Sequence, residues 1–485
     1  MLSPEDLSNN SSAESCWILV NGTVWDLTDF APVHPGGAQV IHKYAGRDAS
    51  AAYNSVHAPS LLKETLDISK RKGTLDTNSI LADSRILQTP DMPTSNPAPL
   101  LEGSRPPLTT LKNSYDFEEV ASRMLSKKAW AFYSSAATDL ITKDGNKTMF
   151  DRIWIRPRIL RDVKTVDTKT SMLGCSVELP LFISPAAMAK MAHPEGELAM
   201  AKACGKYGVA QCISTNASFP MSEITACAPN IPFFFQIYIN KDRAASEKLL
   251  KQAESCGIKG IMVTVDAPVT GKREADERVK ADEAALAPVP MSGAAATNDA
   301  KGGGLGRTMG GYIDATLNWN DLKWLRKATK LPVILKGVQT AEDAIMAAEH
   351  GLDGIFVSNH GGRSLDTSTP AILVLLELQR RCPFVFDRLE VYMDGGIRRG
   401  TDIFKALCLG AKAVGMGRHF LYAANYGQEG VEHLFEIMKD ELETTMRMVG
   451  VTSLSQLHPG LLNTLDVDYL LPGGAGMYPK AQARL

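Results

Sequence analysis

The chain has no apolar run approaching the ~20 residues that a membrane-spanning helix needs, so no membrane span is expected. Its eight cysteines include no CxxC pair, which removes support for a zinc or dithiol redox site. Reduced, mostly buried thiols in a cytosol-like compartment are the simplest account of them. There is no surplus of charge of either sign: 52 Lys and Arg stand against 54 Asp and Glu. No basic tail or stripe occurs, and nucleic acid is therefore not an expected partner. The opening stretch MLSPEDLSNNSSAESC carries Glu5 and Glu14 and no arginine, so neither a secretory signal nor a mitochondrial presequence is expected.

What is present divides into three regions. Residues 1–75 are rich in tryptophan and histidine landmarks. Residues 76–112 contain Pro90, Pro93, Pro97, Pro99, Pro106 and Pro107 with little apolar periodicity, the composition of a semi-extended linker. Residues 113–485 alternate apolar strands with helical stretches. The strands predicted there are Leu181–Ser184, Val209–Ser214, Phe233–Ile239, Gly260–Val265, Val333–Lys336, Gly354–Ser358, Glu390–Met393 and Ala413–Met416. Each is a nearly continuous apolar run, as expected of a parallel strand buried on both faces. Helical patterns lie between them, clearest at Ala341–His350 and Thr401–Leu409. Eight such units fit an α/β TIM (β/α)8 barrel; a doubly wound open sheet is the alternative, with no need of eight similar units. One interval, residues 270–312, breaks the rhythm with a charged run, KREADERVKADE, and a glycine-rich end, KGGGLGRTMGG. Leaving the fourth strand on the face where barrel catalysis sits, it is expected to be a mobile loop.

In the first region the stretch WILVNGTVWDLTDFAPVHPGGAQVIHKYAGRDASAAYNSVHAPS resembles a cytochrome b5 domain, a small α+β fold. Low-spin b haem needs a strong nitrogen ligand on each side of the ring. His34 and His57 are the candidates for bis-His iron ligation, with Pro35, Gly36 and Gly37 forming a tight turn after the first. Val33, Val40, Ile41, Tyr44, Tyr53 and Leu61 are candidate apolar walls. Two axial histidines leave no open iron site, which fits single-electron transfer rather than oxygen binding.

The third region resembles the FMN-dependent 2-hydroxy-acid dehydrogenase and oxidase family. The resemblance rests on PAAMAKMAHPEGE, ISTNAS, FFFQIY, TVDAP, ILKGVQ, SNHGGRSLD and DGGIRRGTDIFKALCLGAKAVGMGR, which sit at successive strand ends in family order. In SNHGGRSLD, His360 is the candidate base, since imidazole accepts a proton near neutral pH. Arg363 can hold a substrate carboxylate in a bidentate pair. By resemblance, Asp266 bonds and orients the catalytic histidine, Tyr238 bonds the substrate hydroxyl, and Arg273 reaches the substrate carboxylate. Lys336 is implied beside the pyrimidine edge of FMN, where a positive charge favours electron uptake. Ser214, Gln236 and Thr264 are implied as polar contacts to the ring system, and Ala186 and Ala187 as backbone at its other face. The phosphate is expected at Asp394, Gly395, Gly396, Ile397 and Arg398, with Gly417 and Arg418, after strands seven and eight.

With a haem domain in front, the two-domain order resembles the flavocytochrome b2 class. That likeness implies oxidation of an L-2-hydroxy acid, L-lactate by default, with electrons passing through FMN and haem b to an acceptor such as cytochrome c. It also implies a homotetramer. A peroxide-producing oxidase and a non-catalytic haem and flavin sensor are the alternatives. The ending Ala483, Arg484, Leu485 is similar to a peroxisomal address, so a cytoplasmic or peroxisomal location is expected; the resemblance adds the mitochondrial intermembrane space. Two positions depart from the family pattern. Phe132, in WAFYSSAA, stands where the family has a tyrosine that bonds the substrate carboxylate, while the adjacent Tyr133 is expected to point elsewhere. Asn216 stands where the family has a leucine or larger side chain, and an amide there seeks a polar partner.

Overall fold

In a computed structural model the described residues are 2–34, 37–57, 61–75, 105–281 and 286–472. They form two compact units, dividing at Ser104 and Arg105. The turn residues Pro35 and Gly36, the prolines of the linker up to Pro99, and the ending Ala483–Arg484–Leu485 lie outside the described residues.

The first unit is built on a three-stranded antiparallel sheet of β1 (Trp17–Val20), β2 (Thr23–Asp26) and β3 (Arg71–Thr74), in that order. Asn21 and Gly22 join β1 to β2 with φ of 50° and 75°; two left-handed residues give the turn whose twist matches a two-residue hairpin. Alternation along the strands sends side chains to both faces. Ile18, Val20 and Trp25 pack with Leu27, Ile41, Tyr44 and Leu62 on one side, while Leu7, Leu19, Val24 and Leu75 pack on the other. Short helices Ala38–His42, Ser50–Val56 and Leu61–Thr65 fill the stretch between β2 and β3.

The second unit carries the predicted barrel. Before it lie β4 (Trp154–Ile155) and a hairpin of β5 (Thr170–Met172) and β6 (Cys175–Val177). The barrel strands are β7 (Leu181–Ile183), β8 (Gln211–Ser214), β9 (Phe233–Ile237), β10 (Ile261–Thr264), β11 (Val333–Val338), β12 (Gly354–Val357), β13 (Glu390–Met393) and β14 (Ala413–Met416). All are parallel, and β14 pairs with β7 to close the ring. The predicted helices appear as Ala341–Glu349 and Gly400–Cys408. A final short strand, β15 (Leu462–Asn463), pairs with β4.

The period of two along each strand sets the interior. Phe182, Cys212, Phe234, Met262, Ile334, Phe356, Tyr392 and Ala413, one from each strand, form a buried cluster inside the barrel. Met172 and Val177 of the β5–β6 hairpin join it and plug one end. Truncating one of these phenylalanines to alanine should cost about 3–5 kcal/mol. Two residues further along each strand the inward position returns at the other end. There the residues are Ser184, Ser214, Gln236, Thr264, Lys336, Ser358, Asp394 and Gly415. An apolar layer thus gives way to a polar one at the carboxyl ends of the strands.

Residues 105–112 lie with the barrel unit: the Tyr426 hydroxyl donates to the Pro106 carbonyl at 2.8 Å, and His433 Nε2 lies 2.9 Å from the Leu111 carbonyl. The interval 270–312 carries helices Glu274–Glu277 and Leu305–Met309. It is anchored by Lys128, whose buried ammonium donates to Asp276 Oδ1 (2.6 Å) and to the carbonyls of Asp276, Val279 and Gly303.

Candidate active site and haem site

The polar layer floors a cavity at the carboxyl ends of the barrel strands. Gln236 links the layer, donating from Nε2 to Thr264 Oγ1 (2.9 Å) and accepting from Ser214 Oγ (3.2 Å). Asp394 accepts from Ser184 Oγ (3.0 Å) and Ser358 Oγ (2.6 Å), and Lys336 Nζ donates to Ser358 Oγ at 3.3 Å. Burial disfavours the Lys336 ammonium, but Asp266 and Asp394 more than offset this and hold its pKa above the ordinary value. A fixed positive charge therefore sits in the cavity wall.

His360 follows β12 in a left-handed conformation, φ 58°, with Gly361 and Gly362 also at positive φ. Such backbone strain in a non-glycine residue turns the imidazole into the cavity mouth and is characteristic of functional positions. Nδ1 lies 3.0 Å from Asp266 Oδ1, and Nε2 lies 3.3 Å from the Tyr238 hydroxyl. Burial lowers the His360 pKa, opposed by Asp266 and reinforced by Lys336 and Arg273, with a net shift downward. The imidazole is thus kept neutral and able to accept a proton. Asp266 is itself destabilised as an anion by burial, yet His360 and Lys336 hold its pKa below the ordinary carboxylate value.

Arg363 and Arg273 converge beside this pair. Arg363 Nη2 donates to the Phe132 carbonyl at 2.6 Å, and the guanidinium lies 4.9 Å from the centre of the Phe132 ring. Arg273 Nε points at the Arg363 carbonyl, 3.4 Å away. Burial depresses both guanidinium pKa values, and neighbouring guanidiniums add to it. Neither arginine has a carboxylate salt-bridge partner among the described residues, and Arg363 Nε is buried without a partner. Two crowded, half-buried cations without a carboxylate partner among the described residues can receive a substrate carboxylate. Phe132 thus serves the site with its carbonyl and ring, while the Tyr133 hydroxyl is spent on the Met188 carbonyl at 2.6 Å, facing away as expected.

The glycine segments after β13 and β14 meet on the same cavity. Gly395 and Gly396 have φ of 91° and 90°, and a Cβ on Gly396 would fall 2.2 Å from the Asn146 carbonyl oxygen. Arg418 Nη2 donates to the Gly361 carbonyl at 2.7 Å. Ala186, Ala187, Asp394, Ile397, Gly417 and Arg418 also line the cavity. Arg398 does not: its guanidinium is held by Asp402 (3.2 Å) and Asp151 (2.8 Å), leaving only its backbone near the glycine turn. Ser184 and Ser358, which fix Asp394, were not among the residues singled out from sequence. The period of two from Phe182 and Phe356 was the signal that could have found them.

In the first unit, His34 ends the turn Ala31–Val33 and His57 ends the helix Ser50–Val56. Their ring centres are 6.1 Å apart with planes at 82°. Two imidazoles ligating one metal from opposite sides, with bonds of about 2 Å, would have ring centres about 6 Å apart. Of the candidate walls, Ile41 and Tyr44 are buried, whereas Val33 (70% exposed), Val40 and Leu61 present apolar surface. Among the described residues no group of three or more metal-ligating acidic, histidine or cysteine side chains competes for a metal. The pair fits bis-His iron.

The fold and the two sites define a class: an oxidoreductase with a flavin barrel behind a cytochrome-type domain. The FMN-dependent dehydrogenase profile matches residues 121–464, and the cytochrome b5-like heme/steroid binding domain profile matches residues 3–76. The chain is 42% identical over 477 residues to an L-lactate dehydrogenase (cytochrome) of Saccharomyces cerevisiae, covering 95% of this chain and 79% of that one. It is 41% identical to glycolate oxidase 3 of Oryza sativa subsp. indica over 72% of this chain and 95% of that one. Among solved structures it is similar to a flavocytochrome b2 variant with sulfite bound (TM-score 0.67, 42% identity, 82% of this chain and 94% of that one). A mandelate oxidase with (S)-4-hydroxymandelic acid also matches (TM-score 0.68, 34% identity, 73% and 98%). The chain belongs to the FMN-dependent dehydrogenase family, with FMN as the cofactor of its barrel and haem b as that of its cytochrome b5-like domain.

Proposed function

We propose that the chain oxidises an L-2-hydroxy acid, L-lactate by default, to the 2-keto acid and passes the electrons to a cytochrome. The carrying observation is the contact of His360 with Asp266 beside two arginines that lack a carboxylate salt-bridge partner among the described residues. FMN supplies the two-electron acceptor and haem b a one-electron outlet.

Arg363 and Arg273 bind the substrate carboxylate and so fix the 2-carbon beside Tyr238 and His360. Tyr238, whose hydroxyl pKa is raised first by burial, stays protonated and hydrogen-bonds the substrate oxygen. His360 takes a proton at Nε2, the nitrogen that faces Tyr238. Asp266 receives the Nδ1 proton in a hydrogen bond and stabilises the imidazolium that results. Lys336, the cation of the polar layer, would favour electron uptake by FMN through its positive charge. Arg418, Gly395, Gly396 and Gly417, with the backbone of Arg398, would hold the phosphate. His34 and His57 would hold the haem iron.

Glycolate oxidases matching the barrel alone favour a second reading, in which oxygen takes the electrons and peroxide is released. A matching cytochrome-type domain favours the first. Aerobic turnover with L-lactate separates them. The cytochrome route predicts stoichiometric reduction of added cytochrome c with little peroxide; stoichiometric peroxide with cytochrome c left oxidised contradicts it. Among the described residues no helix is long and apolar enough to cross a membrane. A homotetramer joined through the barrels completes the proposal and is checked by light scattering.

A further inference from the structure

Asn216 lines the same cavity as Tyr238, His360 and Arg273. Its side chain is held from behind by two residues of the long interval after β10. The Ser292 hydroxyl donates to Asn216 Oδ1 at 2.7 Å, and the Tyr312 hydroxyl donates to the same oxygen at 3.4 Å. Ser292 Oγ already accepts from the Ala294 N–H (3.2 Å), which directs its proton to the amide oxygen. Neither Ser292 nor Tyr312 lines the cavity. Both contacts fall on Oδ1, so Nδ2 is the other branch of the amide, and no hydrogen bond from Nδ2 occurs among the described residues. Leu305, Met309 and Ile313 supply apolar cover nearby.

We infer that Asn216, positioned by Ser292 and Tyr312, is a specificity residue that selects 2-hydroxy acids bearing a hydroxyl group on C3, the 2,3-dihydroxy acids, over those ending in a plain methyl. The inference rests on the proposed oxidation of 2-hydroxy acids and names the substrate class of that site. A methyl group against Asn216 leaves its amide protons without an acceptor from the substrate, whereas a C3 hydroxyl accepts from them. A carboxylate at C3 or beyond would also accept. It would need a second cation, and Arg273 and Arg363 already face the first carboxylate. The reacting carbon is unchanged: C2 loses two electrons and two protons, and the C3 hydroxyl is retained in the product.

Anaerobic flavin bleaching of the holoenzyme, measured with L-glycerate, L-lactate and L-malate, tests this. The expected wild-type kcat/KM is at least tenfold higher for L-glycerate than for either of the others. In Asn216→Leu the glycerate-to-lactate ratio should fall at least tenfold, mostly through KM for glycerate. Tyr312→Phe should move it the same way, because it frees the amide; a merely structural role would slow both acids equally and leave the ratio unmoved. A wild-type enzyme that bleaches with lactate as well as with glycerate, or best with malate, overturns the inference while leaving the 2-hydroxy-acid reading intact. If none of the three acids bleaches the flavin, the reading itself fails.

Discussion

The carboxylate of Asp266 meets the imidazole of His360 at 3.0 Å, Oδ1 to Nδ1, and so leaves Nε2 to face the Tyr238 hydroxyl. Asp266 closes the turn after β10, and His360 is held by a left-handed backbone after β12. The pair is therefore fixed by two strand ends rather than by a flexible loop. Replacing His360 by glutamine should remove substrate-driven flavin bleaching. Asp266→Asn should lower kcat/KM about 10²–10⁴-fold, the range of a general base and its orienting partner.

The same contact fixes the pH dependence. As the proposed base His360 acts in its neutral form, and burial holds its pKa below the usual ~6.5 despite Asp266. Activity should therefore persist below pH ~6.5 and fall only as the imidazole takes its proton. Asp266 raises that pKa, so Asp266→Asn should move the acid limb to still lower pH while lowering the plateau. A limb that moves upward in the variant contradicts the assignment. The measurement is kcat/KM for flavin reduction across pH.

Arg363→Ala removes a buried guanidinium that faces the carboxylate site from its perch on Phe132. A charge-assisted hydrogen bond is worth about 1.5–3 kcal/mol, or roughly 10- to 150-fold in kcat/KM. The preference for acids over their uncharged amides should shrink by about that factor in the variant, Arg273 supplying what remains. An undiminished preference for the acid would assign carboxylate recognition to Arg273 alone.

Lys128 and Asp276, 2% and 1% exposed, pin the interval after β10 to the helix Lys127–Ser134. Lys128→Met leaves Asp276 buried and unpaired, which should cost about 3–5 kcal/mol. Thermal unfolding of the barrel should show it, and KM should rise because Arg273 lies three residues from Asp276. Pairing the change with Asp276→Leu should restore much of the stability.

His34→Ala and His57→Ala should each abolish the bis-imidazole b-haem spectrum and leave flavin bleaching by substrate in place. Loss of flavin bleaching in either variant counts against two independent units.

Most of the barrel was legible because its strands are buried on both faces and read as uninterrupted apolar runs. All eight predicted strands occur, with ends shifted by two residues or fewer. The site was legible where chemistry sits at strand ends, as with Lys336, Asp266 and His360. What escaped was set by contacts distant in sequence. Ser184 and Ser358 close two of the predicted strands, and nothing in their local sequence points to Asp394, which lies 210 and 36 residues away. Arg398 sits beside the phosphate-type glycines, yet Asp402, four residues on, captures its guanidinium. The polar partners of Asn216 lie 76 and 96 residues away in an interval with no periodicity to read.

In the proposed route one chain moves electrons from a hydroxy acid through flavin to haem. Rapid mixing of the oxidised, FMN- and haem-loaded protein with L-lactate, followed by absorbance, tests it most directly. Flavin bleaching should come first, followed within turnover by the sharp bands of reduced b haem. Bleached flavin beside haem that stays oxidised over many turnovers would contradict the account.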